Sequence, residues 1–253
     1  MTAIHDRCET LKKNLPVLYK ICVWQSNRVA YRCKFWYNGD MVALDSTYEL
    51  LVDAALAEFA EKGFAGTSRQ MIGARAKVGM VVVEHYFKTR DELASAIIDR
   101  MKTHTAPIGR IDFSELGSVA AWQEAVRQFL TRFVGTFRNE ETKWRHFAAL
   151  YRHEYNTPAL KQRTLWATCL VPLRETLRQL VAMGFREASG TEIHLWTMSI
   201  WSNLLSYCFS TPQRRDASFP DSLSIPERNE LVVKFLCANL FQGTDAPRKS
   251  STS

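Results

Sequence analysis

From Asp45 onward, the apolar residues of this chain recur every three or four positions, which is the period of an α-helix rather than of a β-strand. The chain has 253 residues, enough for one large domain or two modest domains with a buried core. Hydrophobic residues make up 46% and charged residues 23% of it, a balance typical of globular proteins. The sequence therefore predicts an all-α fold whose second half is a helical bundle.

Four helices with tight connections are predicted over residues 45–102. The first should end at Gly63, because glycine suits the left-handed backbone that terminates many helices. The second should begin at Thr67 or Ser68, and Thr89 should cap the fourth. The predicted helices are Ser46–Lys62, Arg69 to about Ala76, Met80–Phe87, and a fourth from Thr89 to Lys102. The short turn at residues 77–79, between the second and third helices, is the pattern of a helix-turn-helix domain.

Two stretches of this region carry a family signature, LLVDAALAEFAEKGFAGTSRQMIGARAKV and HYFKTRDEL. Its specific part is the aromatic run at residues 85–87, followed by Arg90 and an acidic pair before Leu93. Through these stretches, residues 47–93 resemble the DNA-binding domain of the TetR family of bacterial repressors. The resemblance implies that the helix over residues 80–87 enters the major groove of double-stranded operator DNA. It also implies a homodimer whose C-terminal domain binds a small-molecule effector.

Polar and basic side chains around the third helix are candidates for contacts with DNA phosphates. Thr67 and Ser68 lie at a helix N-terminus, where N–H groups and hydroxyls can hold a phosphate. Arg69, Lys88 and Arg90 can pair with phosphates across the groove. The DNA-facing set is completed by Tyr86, whose hydroxyl contact is implied by the resemblance, and by Gly79, Met80, Val81, Val82, Glu84 and His85 on the exposed face.

The exposed face of the third helix departs from the family pattern, which places small polar and basic residues there. Met80, Val81 and Val82 can touch a thymine methyl group but cannot make the bidentate hydrogen bonds that discriminate purines. Residues 45–100 contain nine acidic residues against seven lysines and arginines, a net charge of −2. We therefore expect DNA binding to depend on phosphates more than on bases. The alternative is an interaction module whose DNA recognition is lost.

Residues 1–44 follow a different pattern from the rest of the chain. The stretch KICVWQSNRVAYRCKFWYNGD alternates like a pair of strands, and residues 1–40 carry +4 of the total net charge of +7. We interpret residues 1–44 as a poorly ordered N-terminal extension, with translation starting at Met41 as one explanation. A basic arm that adds phosphate contacts is the alternative. Residues 243–253 are expected to form a disordered tail.

Residues 103–242 are predicted to form the ligand-binding and dimerisation domain. Its helices are indicated over Trp122–Phe137, Lys143–Tyr155, Thr157 to Met183 with a kink at Pro172, Glu192–Ser210 and Pro226–Gln242. The segment LWATCLVPLRETLRQL also resembles the C-terminal domain of CecR-type members of the family. The last two helices are apolar on more than one face, which favours them as the surface of a homodimer.

The bundle is rich in aromatic residues and poor in charges, which is typical of a site that holds a ligand by apolar area and one or two polar anchors. His146, Arg152 and His153 are the candidate anchors. For every aromatic candidate the alternative is a plain place in the hydrophobic core. The candidate lining residues are Trp144, Phe147, Tyr151, Tyr155, Trp166, Cys169 and Met198.

Other classes of function find little support in the sequence. The segment RHEYN at residues 152–156 lacks the second histidine of an HExxH zinc site, and no phosphate loop or nucleophile elbow is present. No catalytic residue, metal or cofactor is therefore predicted, although an aromatic bundle with His and Cys leaves an enzyme as an alternative. Six cysteines are scattered without a CxxC pair, and no apolar run reaches the roughly 18 residues of a membrane helix. We expect a cytoplasmic protein with reduced thiols.

Overall fold

The computed structural model describes residues 20–21, 34–37, 40–139, 141–155, 165–211, 219–220 and 222–245. Helices dominate this part of the chain, which confirms the all-α prediction. They are α1 (Leu44–Lys62), α2 (Arg69–Ala76), α3 (Met80–Tyr86), α4 (Arg90–Thr105), α5 (Val119–Phe137), α6 (Thr142–Tyr155), α7 (Val171–Gly184), α8 (Gly190–Phe209) and α9 (Ile225–Asp245). None of these helices is long and apolar enough to cross a membrane.

A small antiparallel sheet precedes α1. Strand β1 (Lys20–Ile21) pairs with β2 (Lys34–Tyr37), which pairs with β3 (Asp40–Ala43). These strands agree with the alternation in the first 44 residues. Most of the expected N-terminal extension lies outside the described residues, so its role stays a prediction. At the other end, α9 continues three residues into the expected tail.

The chain forms two compact units, one of residues 1–55 with 68–90 and one of residues 56–67 with 91–253. We call them the first unit and the bundle unit. Helix α1 contributes its beginning to the first unit and its last turns to the bundle unit. Helix α4 groups with the bundle unit, although the sequence pattern assigned it to the DNA-binding domain.

Helix boundaries in the first unit follow the sequence pattern closely. Ser68 caps α2 with an extended backbone, and its side-chain oxygen accepts a hydrogen bond from the Met71 N–H at 3.3 Å. Helix α2 has the predicted bounds, and α3 ends one residue earlier than expected, at Tyr86. Ile72 of α2 and Val83 of α3 are fully buried, and together they centre the small core of this unit.

Helix ends in the bundle unit are also set by local sequence. Ser189 and Glu192 form a reciprocal capping box at the start of α8. The helix predicted from Thr157 begins outside the described residues. Its described part opens with a π-helical turn, Trp166–Leu170, which leads directly into the first turn of α7, where Pro172 lies. The predicted discontinuity at this proline therefore takes the form of a π turn before it.

Candidate functional site

Helix α3 presents one buried and one exposed face, as the spacing of its residues predicts. Val83 and the following Phe87 are buried, which confirms their predicted core positions. Val81 is 62% exposed, and Glu84 and His85 are exposed as well. Because the Val81 side chain lies in water, it contributes little to the stability of this seven-residue helix. Its exposed face is therefore available to another molecule.

The approach of α2 to α3 depends on Gly73. A Cβ atom at this position would lie 3.0 Å from Cγ2 of Val83 and 3.2 Å from the carbonyl oxygen of Val78. The turn that follows is closed by Lys77, which adopts the left-handed conformation with φ 57° and donates its N–H to the Ala74 carbonyl. Gly79 then starts α3 with an extended backbone. Backbone geometry in this turn thus fixes the angle at which α3 is presented.

Thr67 and Ser68, both predicted at a helix N-terminus, have different environments. Thr67 is buried, and its hydroxyl lies 3.2 Å from the Glu58 carbonyl and 3.0 Å from the Gly63 carbonyl. This hydroxyl therefore ties the loop before α2 to the end of α1. Ser68 is half-buried and uses its oxygen lone pair for the cap, which leaves its O–H group able to donate to a phosphate.

Arg69 holds the segment that follows α3. Its Nη1 group donates to the carbonyl oxygens of Phe87 and Lys88, and its Nη2 atom lies 3.8 Å from Oε1 of Glu84. The guanidinium therefore partly offsets the negative charge of Glu84 on the exposed face. The structure gives Arg69 a positioning role that its sequence position alone did not indicate, beside the phosphate contact predicted for it.

Tyr48 of α1 packs beside the aromatic run at the end of α3 and was not identified from the sequence. Its ring centroid lies 6.2 Å from that of Tyr86 and 5.3 Å from that of Phe87. The edge of the His85 ring meets the Tyr86 ring at 5.2 Å. Lys88 and Arg90, predicted phosphate ligands, are exposed in the following turn. The only sequence signal for Tyr48 was an aromatic residue in the first turns of α1, outside its apolar stripe.

Aromatic rings form the centre of the bundle unit. Phe137 contacts Phe133 at 4.8 Å, Trp144 at 5.4 Å and Phe209 at 5.0 Å between ring centroids. Each such pair contributes about 0.5–1.5 kcal/mol beyond the burial of its surface. Trp201 extends the cluster through an edge contact with Phe133 at 5.4 Å.

Most of the predicted ligand-lining residues belong to this aromatic cluster. Tyr151 contacts Tyr155 at 6.1 Å and Trp166 at 6.4 Å. Tyr155 is largely exposed, and Met198 and Trp166 are half-buried. The remaining candidates, Trp144, Phe147 and Cys169, are buried among core side chains. For Trp144, Phe147 and Cys169, a place in the hydrophobic core therefore explains the sequence pattern as well as a ligand site does.

Two of the three candidate polar anchors on α6, Arg152 and His153, bond to backbone carbonyls. Arg152 donates to the Phe209 carbonyl at 3.2 Å, and Nε2 of His153 lies 3.0 Å from the Ala60 carbonyl. His146 is half-buried. Glu154, the acidic residue of the RHEYN segment, is buried and accepts the N–H groups of Leu165 and Trp166. No group of metal-ligating side chains occurs in the described part of the chain.

An open groove of 370 Å³ lies along α5 and α6. Of the predicted lining residues only Trp144 borders it, beside His104, Arg132, Glu141, Lys143 and five others. Burial and then the charges of Lys143 and Arg100 lower the pKa of His104. The hydrogen bond from Lys143 at 2.7 Å lowers the pKa of Glu141. The groove is thus polar and mixed in charge, unlike the predicted apolar site.

In the described part of the bundle unit, two side chains have buried donor atoms without hydrogen-bond partners. One is Trp201, through its Nε1 atom, and the other is Arg138, through its Nε and Nη2 atoms. Elsewhere in this unit, burial raises the pKa of the Cys169 thiol to about 12. Arg138 was not identified from the sequence, where it is simply the first residue after a long apolar helix.

Comparisons with known proteins bear on the helix-turn-helix region, which spans parts of both units, and on the fold. Residues 51–97 match the family described as bacterial regulatory proteins, tetR family, whereas no curated protein matches the chain. A TetR-like transcriptional regulator from Rhodococcus sp. RHA1 has a TM-score of 0.56 and 20% identity, over 81% of this chain and 100% of that chain.

Two further solved structures were obtained with ligands. The regulator FadR from Bacillus subtilis, in complex with stearoyl-CoA, has a TM-score of 0.56 and 16% identity, over 76% of this chain and 98% of that chain. AibR, in complex with isovaleryl coenzyme A and operator DNA, has a TM-score of 0.55 and 15% identity, over 77% of this chain and 98% of that chain. At these identities the likeness establishes the fold.

Proposed function

We propose that this protein, a member of the tetR family of bacterial regulatory proteins through residues 51–97, is a repressor that a small molecule releases from operator DNA. The observation that carries the proposal is the exposed face of α3. Val81 lies in water at its centre, while Val83 and Phe87 fix the helix from behind. A short helix held in this way after a tight turn is suited to insertion in the major groove.

Phosphate contacts supply most of the affinity in this proposal. Lys88 and Arg90 are exposed beyond α3, and Ser68 offers a hydroxyl at the N-terminus of α2. Arg69 acts mainly by holding the carbonyls of residues 87 and 88, which positions the two exposed cations. Thr67 contributes through the loop that it stabilises, since its hydroxyl is directed at two carbonyl groups.

Gel retardation with the promoter region of the protein's own operon tests DNA binding. The Arg90→Ala variant should weaken binding to all sequences alike and flatten the dependence of log K on log salt by about one unit. Arg178→Ala is the matched control, because Arg178 is an exposed cation of the bundle unit that pairs with Glu175. An unchanged salt slope for Arg90→Ala would contradict the phosphate assignment.

Base recognition should be weak. Val82 is half-buried, and Val82→Ala removes only methyl groups from it, so we expect little change in affinity except at a site with a thymine methyl group in contact. Arg69→Ala should weaken binding more than the loss of one charge does, because it also releases the segment after α3. Competition between operator and unrelated DNA measures both effects.

A homodimer built from α8 and α9 completes the proposal, since two copies of α3 would read two half-sites one DNA turn apart. Supporting it, Leu195 of α8 and Leu231 of α9 are exposed, and Phe235 is 59% exposed one turn beyond Leu231. Phe235→Glu should convert the dimer to a monomer in sedimentation at micromolar concentration. Val119→Glu places the same charge on another exposed apolar position, at 69% exposure, and should leave the dimer intact.

The effector is proposed to be a mostly apolar or aromatic molecule that binds the bundle. It would favour the state of the dimer in which the two α3 helices no longer match the half-sites. A near-complete switch requires binding that is about 5.5 kcal/mol tighter in that state. A ligand screen by quenching of Trp144 and Trp166, paired with operator release, is the test. Acyl-coenzyme A compounds belong in the screen because FadR and AibR were solved with them. A ligand that fills the bundle without changing DNA affinity would contradict the switch.

A further inference from the structure

Arg138, the residue after α5, is a buried cation without an ion-pair or side-chain hydrogen-bond partner among the described residues. It is 7% exposed, and its Nε and Nη2 atoms are shielded from solvent without any hydrogen-bond acceptor. It takes part in none of the ion pairs found among the described residues. Burial of a charged group is costly unless an opposite charge or hydrogen bonds compensate it. The position is therefore destabilising for the protein as it stands.

The two unpartnered atoms lie on one edge of the guanidinium group. Nε–H and one N–H of Nη2 point in parallel directions, which is the arrangement that binds both oxygens of a carboxylate. The flat face of the group is already used, because its central carbon lies 4.9 Å from the centre of the Tyr207 ring. Tyr207 is fixed in turn by a hydrogen bond to Oδ1 of Asn229 at 2.7 Å. The group is thus held by its face while its two-donor edge is unused.

A second buried arginine, Arg228, shows how the Nε and Nη2 atoms are hydrogen-bonded when an arginine has a structural role in this chain. In Arg228, Nε donates to the Leu223 carbonyl at 2.8 Å and Nη2 donates to the Pro220 carbonyl at 3.3 Å. Arg228 also lies over an aromatic ring, that of Phe219, which contacts Tyr207 at 5.8 Å. The two arginines therefore share burial and aromatic stacking, and they differ in the occupation of the Nε–Nη2 edge.

The surroundings of Arg138 are suited to the apolar part of a ligand. The ring of Tyr207 lies against the guanidinium group and contacts the ring of Phe219 at 5.8 Å. Among aromatic side chains an ion pair is poorly screened by water and gains strength. An acid with an apolar body would place its carboxylate on the cation and its body on the rings.

We propose that the Nε–Nη2 edge of Arg138 binds the carboxylate of a small aromatic or aliphatic acid. This inference rests on the proposed function in one respect, namely that the acid is the effector. It narrows the effector from an apolar molecule in general to an apolar anion, and it gives Arg138 the anchoring role that the sequence suggested for residues of α6.

Calorimetry on the full chain without DNA tests the site directly. Benzoate and octanoate are compared with benzamide and octanamide, which have nearly the same shape but no charge. We expect the acids to bind at least about tenfold more tightly than the amides, since a charged acceptor strengthens both hydrogen bonds. Arg138→Gln should abolish this preference, and Arg138→Lys should reduce it because a lysine lacks the two-donor edge. Arg228→Lys, the matched control, should retain it.

Thermal unfolding separates a binding role from a structural role. Arg138→Met should raise the unfolding temperature of the ligand-free protein, because it removes an unpaired buried charge. A structural arginine would give the opposite shift. If the variants do not fold, the nuclear magnetic resonance signal of the Arg138 Nε–H group in the unaltered protein should still shift on addition of benzoate or octanoate.

Four results would overturn the proposal: a lower unfolding temperature for Arg138→Met, equal affinity for acids and amides, no binding of either acid, or an Arg138 Nε–H signal that neither acid shifts. Gel retardation with the same acids tests the regulatory function separately. An acid that binds through Arg138 but leaves operator binding unchanged would refute its role as effector and would retain the site.

Discussion

The first unit and the bundle unit obtain their geometry in different ways. In the first unit, helices of eight and seven residues are oriented by backbone features, namely the glycine contact at Gly73 and the left-handed Lys77. In the bundle unit, helices of up to 21 residues are held by side-chain volume, with Phe133 and Phe137 at the centre of an aromatic cluster. A domain fixed through its backbone can change its exposed side chains freely. A domain fixed through ring packing can change its interior only with loss of stability.

The largest effect is expected for Phe133→Ala in the bundle unit. This side chain is fully buried and contacts the rings of Phe137 and Trp201. Its truncation should lower the free energy of unfolding by about 3–5 kcal/mol, measured by chemical denaturation. Val119→Ala, at the exposed start of α5, should change it by no more than about 0.5 kcal/mol. A loss below about 1 kcal/mol at Phe133 would show that the bundle tolerates a cavity and is packed more loosely than its ring contacts indicate.

The second prediction concerns the thiol of Cys169, whose reactivity reports whether solvent and reagents reach the core of the bundle unit. Burial raises its pKa from the ordinary 9.0 to about 12, and its Sγ atom lies 4.0 Å from the Ile98 carbonyl. At pH 8.5 its thiolate fraction should be about a thousandfold lower than that of a free thiol. Alkylation by iodoacetamide, followed by peptide mass spectrometry, should leave Cys169 unlabelled in the native protein and label it in urea.

The same pKa shift has a consequence for stability at high pH. The unfolded chain releases the Cys169 proton above pH 9, whereas the folded protein retains it until about pH 12. The folded state therefore binds more protons in this range, so stability should fall as the pH rises from 9 to 12. In the iodoacetamide experiment, rapid labelling of Cys169 in the native protein at pH 8.5 would contradict a closed environment for this thiol.

The sequence predicted the first unit well because its signals are local. Caps, glycines and turn residues act within a few positions, so the bounds of α2 and the cap at Ser68 could be read directly. The inward positions of Val83 and Phe87 followed from helical spacing. The unpredicted features all depend on contacts across the chain: the bonds of Arg69 to residues 87 and 88, and the ring contacts of Tyr48.

The bundle site was harder to predict because core residues and ligand-lining residues both appear in a sequence as apolar or aromatic residues at helical spacing. Phe147 and Trp144 satisfy a pattern for either role, and only the structure shows that Phe147 is enclosed while Trp144 also borders a groove. Arg138 carried no usable signal. Its importance depends on which acceptors are absent around it, and spacing along a chain contains no information about that.

A smaller effect is expected from the matched pair Gly73→Ala and Gly79→Ala in the first unit. The new methyl group at position 73 meets Val83 at 3.0 Å, so it should lower stability by about 1 kcal/mol despite the better helix propensity of alanine. At position 79 it meets nothing within 4 Å, and φ is −70°, so stability should be unchanged or slightly higher. Thermal unfolding measures both changes. Equal effects at the two positions would contradict the claim that backbone proximity orients α3.

The smallest effect should come from Lys77, the residue that closes the turn. At φ 57° a side chain with a Cβ atom costs about 1–2 kcal/mol, and a glycine avoids this cost while losing about 0.5–1 kcal/mol through the entropy of the unfolded chain. Lys77→Gly should therefore stabilise the protein by about 0.5–1 kcal/mol. Lys77→Ala keeps the Cβ atom and should give no gain, so the pair separates backbone strain from loss of the ammonium group. A Lys77→Gly variant less stable than Lys77→Ala in thermal unfolding would show that the turn is held by the lysine side chain, and the backbone account of the first unit would then be wrong.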